Sequence, residues 1–148
     1  MLVSVNWLSQ YIDLSDIDPK DLAEKITRTG IEVESVNVLA DATNVVIGYV
    51  EERVQHPNAD KLSVCQVNVG GEDGVVQIVC GAKNVAAGQK IIVAKPGAVL
   101  PGNFKIKKSK LRGEESNGMC CSLKELGIEQ KLVPQAYADG IFICADDA

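Results

Sequence analysis

A succession of short apolar segments, separated by glycine- and proline-containing turns, constrains the fold of this 148-residue chain most strongly. Three of them run from Val45 to Val54, from Leu62 to Val69 and from Val75 to Cys80, and the last two alternate with polar residues. Between these two, the segment Gly70–Gly74 is a strong hairpin signal. Shorter apolar pieces follow at residues 91–94, 99–100 and 141–143. Five or six short strands with one small late helix predict a mainly β protein built as a small barrel or sandwich.

Residues 1–39 predict a small and incomplete α/β module. Asp18 caps, and Pro19 fills, the first turn of a helix that Gly30 ends. The alternation of apolar and acidic residues from Ile31 to Val36 then predicts a strand. About forty residues make only a marginal hydrophobic core. We therefore expect this module to be completed by chain outside this segment, and we assign residues 40–148 to a second domain that opens with a polar linker.

Composition and charge narrow the class of protein. The formal net charge is −5, yet residues 1–52 hold ten acidic against three basic side chains, and residues 53–148 hold ten against twelve. The second part is therefore the better candidate for binding a polyanion. The chain shows no long apolar run and no cleavable signal pattern, and its five cysteines lack the spacing of a disulfide framework. These features predict a cytoplasmic protein that does not contact a membrane.

Motifs for catalysis and for cofactors are missing from the sequence. The sequence has no nucleophile-elbow motif for which His56, its single histidine, could act as the base. Its position before Pro57 favours a loop residue that ends a strand. Cys120 and Cys121 are adjacent and no C-x-x-C pair occurs, which favours buried free thiols over a zinc site. The glycines have neither Walker nor dinucleotide-binding spacing. We expect no catalytic residue, no cofactor and no metal within this segment.

A basic segment stands out against the acidic background. Eight residues contain five cations and no acid: Lys105, Lys107, Lys108, Lys110 and Arg112. In one continuous strand, Phe104 and Ile106 would point inward, but Leu111, which should also point inward, is out of phase with them. A kink or bulge near Lys108–Ser109 would restore the phase and place all five cations on one outer face.

That cationic face has two interpretations. It is either a solvated strand face or a surface that holds the phosphates of an oligonucleotide. Lys83 and Asn84 lie in a predicted turn after Cys80, and Ser116 follows the basic segment. Their ammonium, amide and hydroxyl groups could contact phosphate, sugar or base edges, although ordinary turn chemistry explains Asn84 and Ser116 equally well. Ser122 and Glu125 have capping-box spacing for one helical turn that Gly127 ends.

Three ordered motifs resemble the EMAP-type tRNA-binding domain, which is a five-stranded OB-fold barrel. They are His56-Pro57-Asn58-Ala59-Asp60-Lys61-Leu62, then Val79-Cys80-Gly81-Ala82-Lys83-Asn84, and finally Lys110-Leu111-Arg112-Gly113 with Ser116-Asn117-Gly118-Met119. The opening, Ser4-x-x-Trp7-Leu8-x-x-Tyr11 with Thr27-Arg28-Thr29-Gly30-Ile31-Glu32-Val33, is similar to the N-terminus of the bacterial phenylalanyl-tRNA synthetase β subunit. The resemblance covers essentially the whole chain.

The resemblance implies a non-catalytic tRNA-binding module of an α2β2 enzyme that attaches phenylalanine to tRNA with ATP and Mg²⁺. The active site would lie in the α subunit and the editing site in later β-subunit modules. The implied partners are tRNA, the α subunit and the remaining β-subunit modules. The implied tRNA contacts are Lys83, Asn84, Lys105, Lys107, Lys108, Lys110, Arg112 and Ser116.

Two other functions stay open at this point. An apolar surface expected around Val3, Trp7 and the Ile31 strand would suit a structural or protein-interaction module within a synthetase. A free-standing tRNA-binding protein could use the same barrel, although the synthetase-like opening argues against it.

Overall fold

The computed structural model describes residues 1–38 and 41–146, and the chain divides into two compact units, Met1–Val38 and Leu39–Ala148. The first unit is helical, with α1 at Val5–Leu8 and α2 at Pro19–Arg28. The Asp18 carboxylate accepts a hydrogen bond from the Lys20 amide at 2.8 Å, which confirms the predicted cap of α2.

The predicted strand from Ile31 to Val36 is wrong, because residues 31–38 contain no strand. A strand needs a second strand to receive its backbone hydrogen bonds, and Met1–Val38 offers none. Ile31 is 68% exposed, and no residue from 1 to 38 is buried. None of the helices among the described residues has the length and apolar character needed to span a bilayer.

The described part of the second unit, residues 41–146, contains nine strands. They are β1 (Val45–Gln55), β2 (Ser63–Asn68), β3 (Val75–Cys80), β4 (Lys90–Ala94), β5 (Val99–Leu100), β6 (Phe104–Lys105), β7 (Ser109–Leu111), β8 (Glu114–Ser116) and β9 (Met119–Cys120). Two short 3₁₀ turns follow at Gln130–Leu132 and Gln135–Tyr137.

Five of these strands form one antiparallel sheet in the order β3-β2-β1-β4-β9. The predicted hairpin joins β2 to β3, and the Val69 amide donates to the Gly74 carbonyl at 2.9 Å. β1 is the long central strand, and its register shifts between Val50 and Glu52. A Cβ at Gly48 would lie 2.8 Å from a methyl group of Val67. Glycine therefore lets β1 approach its neighbours closely where the sheet coils.

The sheet curls into a nearly closed five-stranded barrel, as predicted. Because every neighbouring pair is antiparallel, the edge strands β3 and β9 run in the same direction. The chain just before β9 joins these edges, since the Asn117 amide donates to the Gln77 carbonyl at 2.8 Å and the Gln77 side chain donates to the Glu115 carbonyl at 2.9 Å. These bonds form the barrel seam, which we define as the contact of β3 with residues 114–120.

Residues of the strands and of the loops between them form two buried clusters. The larger contains Val50, Cys65, Val67, Val69, Ile78, Cys80, Val85, Ile91, Val93, Cys120 and Ile141. The smaller contains Ala94, Ala98, Leu100, Ile106, Cys121 and Leu126. The core therefore lies inside the barrel and extends under the loops that follow β4 and β9.

Two features were predicted late in the chain, a capping box at Ser122 and a closing strand at residues 141–143. The capping box is confirmed, because the Ser122 amide donates to the Glu125 carboxylate at 2.7 Å and the Glu125 amide donates to the Ser122 hydroxyl at 3.2 Å. The closing strand predicted at residues 141–143 is reduced to an isolated bridge between Ile143 and Ile91. The cause is that both backbone groups of Ile141 hydrogen-bond to the Asn84 side chain instead of a strand.

Candidate nucleic-acid interface

The basic segment is not one strand in the structure. β6 ends at Lys105 and β7 begins at Ser109, so the ladder is interrupted close to the predicted kink. Ile106 anchors the interruption, because it is only 6% exposed and its amide and carbonyl bond to Ala98 and Gly97. Ile106 is therefore the buried residue of this segment, and exposed cations lie on either side of it.

The predicted inward direction of Phe104 and Leu111 is wrong. Phe104 is 57% exposed and Leu111 is 41% exposed. Both belong to separate two-stranded ladders, β5–β6 and β7–β8, that lie outside the five-stranded sheet. Strand alternation holds only within a continuous strand, and residues 106–108, between these two ladders, are not strand.

The six predicted cations of the second unit are all exposed: Lys83, Lys105, Lys107, Lys108, Lys110 and Arg112. Within residues 1–38 and 41–146 the ion pairs are Arg28–Glu24, Lys95–Asp73 and Lys131–Glu129, and none involves this set. Lys110 stands opposite Glu115 in the β7–β8 register without pairing to it. The charges of the six are therefore available to an anionic partner.

Arg112 lies at the tip of the β7–β8 hairpin. Arg112 and Gly113 form its two-residue turn, with φ values of 50° and 100°. Positive φ at both positions is typical of the tight turns that match the twist of a hairpin. The Asn58 side-chain amide donates to the Arg112 carbonyl at 3.2 Å, so the tip is tied to the loop after β1.

His56 supplies the second tie to this hairpin. It follows β1, as predicted, and it is only 3% exposed. Its Nδ1 accepts a hydrogen bond from the Asn58 amide at 3.0 Å, which leaves Nε2–H to donate to the Leu111 carbonyl at 2.9 Å. Sequence reasoning missed this contact, although the motifs that contain His56 and Leu111 were both part of the resemblance.

Ser116 is buried in the barrel seam, at 2% exposure. Its hydroxyl accepts a hydrogen bond from the Val79 amide at 3.0 Å and donates to the Gly118 carbonyl at 3.0 Å. These bonds give Ser116 a structural position, and its predicted contact with tRNA stays a prediction.

Asn84 is also engaged with the backbone. Its side-chain amide donates to the Ile141 carbonyl at 2.8 Å, and its oxygen accepts from the Ile141 amide at 3.1 Å. A Cβ at Gly140 would collide with that oxygen, so only glycine fits at this position. Asn84 thus fastens residues 140–141 to the turn that carries Lys83, and its predicted contact with tRNA is untested.

The thiols do not form a metal centre within the part of the chain that the structure describes. Cys65, Cys80, Cys120 and Cys121 are buried and Cys144 is partly buried, all as free thiols. No group of three or more His, Cys, Asp or Glu side chains in residues 1–38 and 41–146 is placed to hold a metal ion.

Comparison with known proteins identifies the barrel. Residues 45–140, which include both the barrel seam and the basic hairpin, match the family model of the tRNA binding domain. The chain belongs to the tRNA binding domain family. In this tRNA-binding domain, the exposed cations and the two ties to the β7–β8 hairpin all lie within the matched residues.

The full chain is also similar to larger proteins. It is 64% identical to the phenylalanine–tRNA ligase beta subunit of Geobacillus kaustophilus and 63% identical to that of Bacillus subtilis, over 100% of its length in both cases. It spans 18% of the length of each relative. Among solved structures, the C-terminal domain of Plasmodium vivax p43 is 29% identical with a TM-score of 0.44, over 57% of this chain and 48% of that one.

Proposed function

We propose that this tRNA-binding domain is the non-catalytic tRNA-binding module of a phenylalanine–tRNA ligase β subunit. The observation that carries the proposal is the family match over residues 45–140, together with exposed cations that have no carboxylate partner among the described residues. Similarity to two β subunits over the full length of the chain supports the parent enzyme.

The basic segment binds tRNA through its phosphates. Lysine ammonium groups act as point charges toward phosphate oxygens, whereas the guanidinium of Arg112 can engage two oxygens at once. His56 and Asn58 hold the carbonyls of Leu111 and Arg112, so the hairpin meets its ligand already ordered. Less conformational entropy is then lost on binding. Ser116 and Asn84 contribute by fixing the backbone beside these cations.

The parent protein supplies what this module lacks. In the proposed α2β2 ligase, ATP and Mg²⁺ act at the α subunit, and this chain's partners are tRNA, the α subunit and the remaining β-subunit modules. The active site for phenylalanine transfer is proposed to lie in the α subunit, so no step of that reaction is assigned to this chain. The proposed location is the cytoplasm, where tRNA is charged.

A salt titration tests the electrostatic contact. If about four or five phosphates of a single-stranded or loop region are neutralised, a log–log plot of affinity against salt has a slope of about −3. Filter binding or gel shift of the chain with tRNA over a range of salt concentrations gives this slope. A slope near zero would contradict binding through the cation set.

Charge reversal locates the contact. Lys107→Glu, Lys108→Glu and Lys110→Glu together should abolish retention of tRNA in the same assay. The matched control reverses three charges on α2, with Lys20→Glu, Lys25→Glu and Arg28→Glu, and should retain tRNA. Equal loss in both variants would mean that net charge alone governs binding and would exclude the basic segment as the site.

A protein-interaction role is the second candidate, and it concerns the first unit. Large apolar side chains of Met1–Val38 are exposed, including Leu2, Trp7, Tyr11 and Ile31. The rings of Trp7 and Tyr11 also contact each other, with centroids 5.5 Å apart, and exposed apolar patches are typical of a contact with another protein module. It supports a role for this unit in packing against further modules of the synthetase.

A further inference from the structure

Two cysteine side chains share one cleft at the end of the barrel seam. The cleft has a volume of about 420 Å³, and its lining includes Cys80, Ala82, Cys120 and Ile141. The cleft opens to solvent, and Cys80 and Cys120 are each 6% exposed. Neither thiol has a role in the proposed binding of tRNA.

The topology of the seam places these two thiols side by side. β3 and β9 run in the same direction, and the Asn117 amide bonds to the Gln77 carbonyl. Cys80 lies three residues after Gln77, and Cys120 lies three residues after Asn117. Because the two segments run in the same direction, Cys120 is opposite Cys80. Both side chains belong to the same buried cluster, so they meet on the inner side of the seam.

The surroundings make the two thiols unequal. A hydrogen bond from the Cys120 thiol, and one from the Ala82 amide at 3.4 Å, lower the pKa of Cys80 from 9.0 to about 7 against the opposing effect of burial. The same contact with Cys80, together with burial, raises the pKa of Cys120. Among nearby charges, Glu125 raises the pKa of Cys80 and Arg53 lowers it. Cys80 is therefore the more readily ionised of the two thiols, and Cys120 is the one that keeps its proton.

We propose that Cys80 and Cys120 form a thiol–disulfide exchange site that accepts a small-molecule disulfide in this cleft. The Cys80 thiolate attacks one sulfur of the disulfide, forms a mixed disulfide and releases one small thiolate. Cys120 then loses its proton to that thiolate or to water and attacks the Cys80 sulfur. A second small thiolate leaves, so the disulfide is reduced to two thiols and the protein gains one Cys80–Cys120 bond.

This bond would join the two edge strands of the barrel covalently. It would close a loop from β3 to β9 and reduce the conformational freedom of the unfolded chain. The oxidised protein is therefore expected to have a higher midpoint of thermal unfolding than the reduced protein, and a reductant should reverse the shift.

Oxidised glutathione is the probe for the test. The reduced full-length chain is incubated with it and mapped by mass spectrometry without reduction. The expected product has lost two hydrogen atoms and yields a Cys80–Cys120 peptide. Cys120→Ser should stop at glutathione on Cys80, and the control Cys144→Ser should react like the parent protein.

The pH dependence separates this site from ordinary thiol oxidation. The rate at Cys80 should be about tenfold lower at pH 6 than at pH 8, whereas a thiol with an ordinary pKa would slow by about a hundredfold. Three results would each overturn the proposal: glutathione on the more accessible Cys144 with Cys80 still reduced, a bridge from Cys80 to Cys65, or reaction only after unfolding in urea.

Discussion

At the scale of single residues, buried hydrogen-bonding groups decide which side chains hold the barrel. The buried Ser116 hydroxyl accepts a hydrogen bond from the Val79 amide and donates one to the Gly118 carbonyl. A buried backbone group that loses its partner costs more than the bond itself contributed. Ser116 therefore contributes to closing the barrel, whatever it contacts in tRNA.

Replacing Ser116 tests this role. Ser116→Ala should lower the free energy of unfolding by about 1–3 kcal/mol, because the Val79 amide is left without an acceptor. Urea denaturation followed by circular dichroism measures the change. Ser109→Ala, at an exposed serine of β7, is the matched control and should change the stability by less than about 0.5 kcal/mol. Equal effects of the two variants would contradict a special role for Ser116.

At the scale of elements, the loop after β1 positions the basic hairpin. His56 and Asn58 bond to the Leu111 and Arg112 carbonyls across more than fifty residues of chain. The hairpin has only three residues in each strand, and such a short ladder is marginal alone. The direction of its cations therefore depends on this loop.

Loosening the loop should weaken tRNA binding without removing a cation. His56→Ala is expected to lower tRNA affinity about three- to tenfold and to speed amide exchange in β7 and β8, because the Leu111 carbonyl loses its donor. Filter binding and hydrogen exchange measure the two effects. Gln55→Ala is the control, because its side chain bonds to Ala59, Asp60 and Leu62 in the same loop and not to the hairpin. A comparable loss of affinity there would assign the effect to general destabilisation.

At the scale of the whole molecule, the two units differ in what stabilises them. Every buried core residue among those described lies between Val50 and Ile141, and none lies in Met1–Val38. Short helices without a buried face are marginal in water. The barrel unit therefore carries the cooperative stability of the chain.

Separating the units tests this division. A fragment of residues 41–148 should unfold in urea at nearly the midpoint of the full chain and should retain tRNA with similar affinity. A peptide of residues 1–38 should show no cooperative transition by circular dichroism. A sharp transition of the isolated peptide, or loss of folding in the longer fragment, would contradict the conclusion that the barrel unit carries the stability of the chain.

The sequence predicted correctly those features that depend on interactions between residues close together in the chain. The cap of α2 at Asp18, the hairpin at Gly70–Gly74 and the capping box at Ser122 each depend on groups within a few residues of one another. Alternating apolar residues likewise predicted the main strands, because a two-residue period and a buried face belong to the same segment. The resemblance added the five-stranded barrel, which the structure confirms, and the family, which the family model over residues 45–140 confirms.

Other features depended on groups that are distant in sequence. Ile31–Val36 has a strand pattern but no strand to pair with, and Phe104 and Leu111 belong to two separate ladders instead of the one continuous strand that their predicted direction assumed. The ties from His56 to Leu111, from Asn84 to Ile141 and from Ser116 to Val79 form only when the barrel brings those groups together. Periodicity and local propensity therefore determined where strands and turns could form. Tertiary structure decided which of them found partners, because a backbone hydrogen bond or a buried face requires a second surface that the local sequence does not contain.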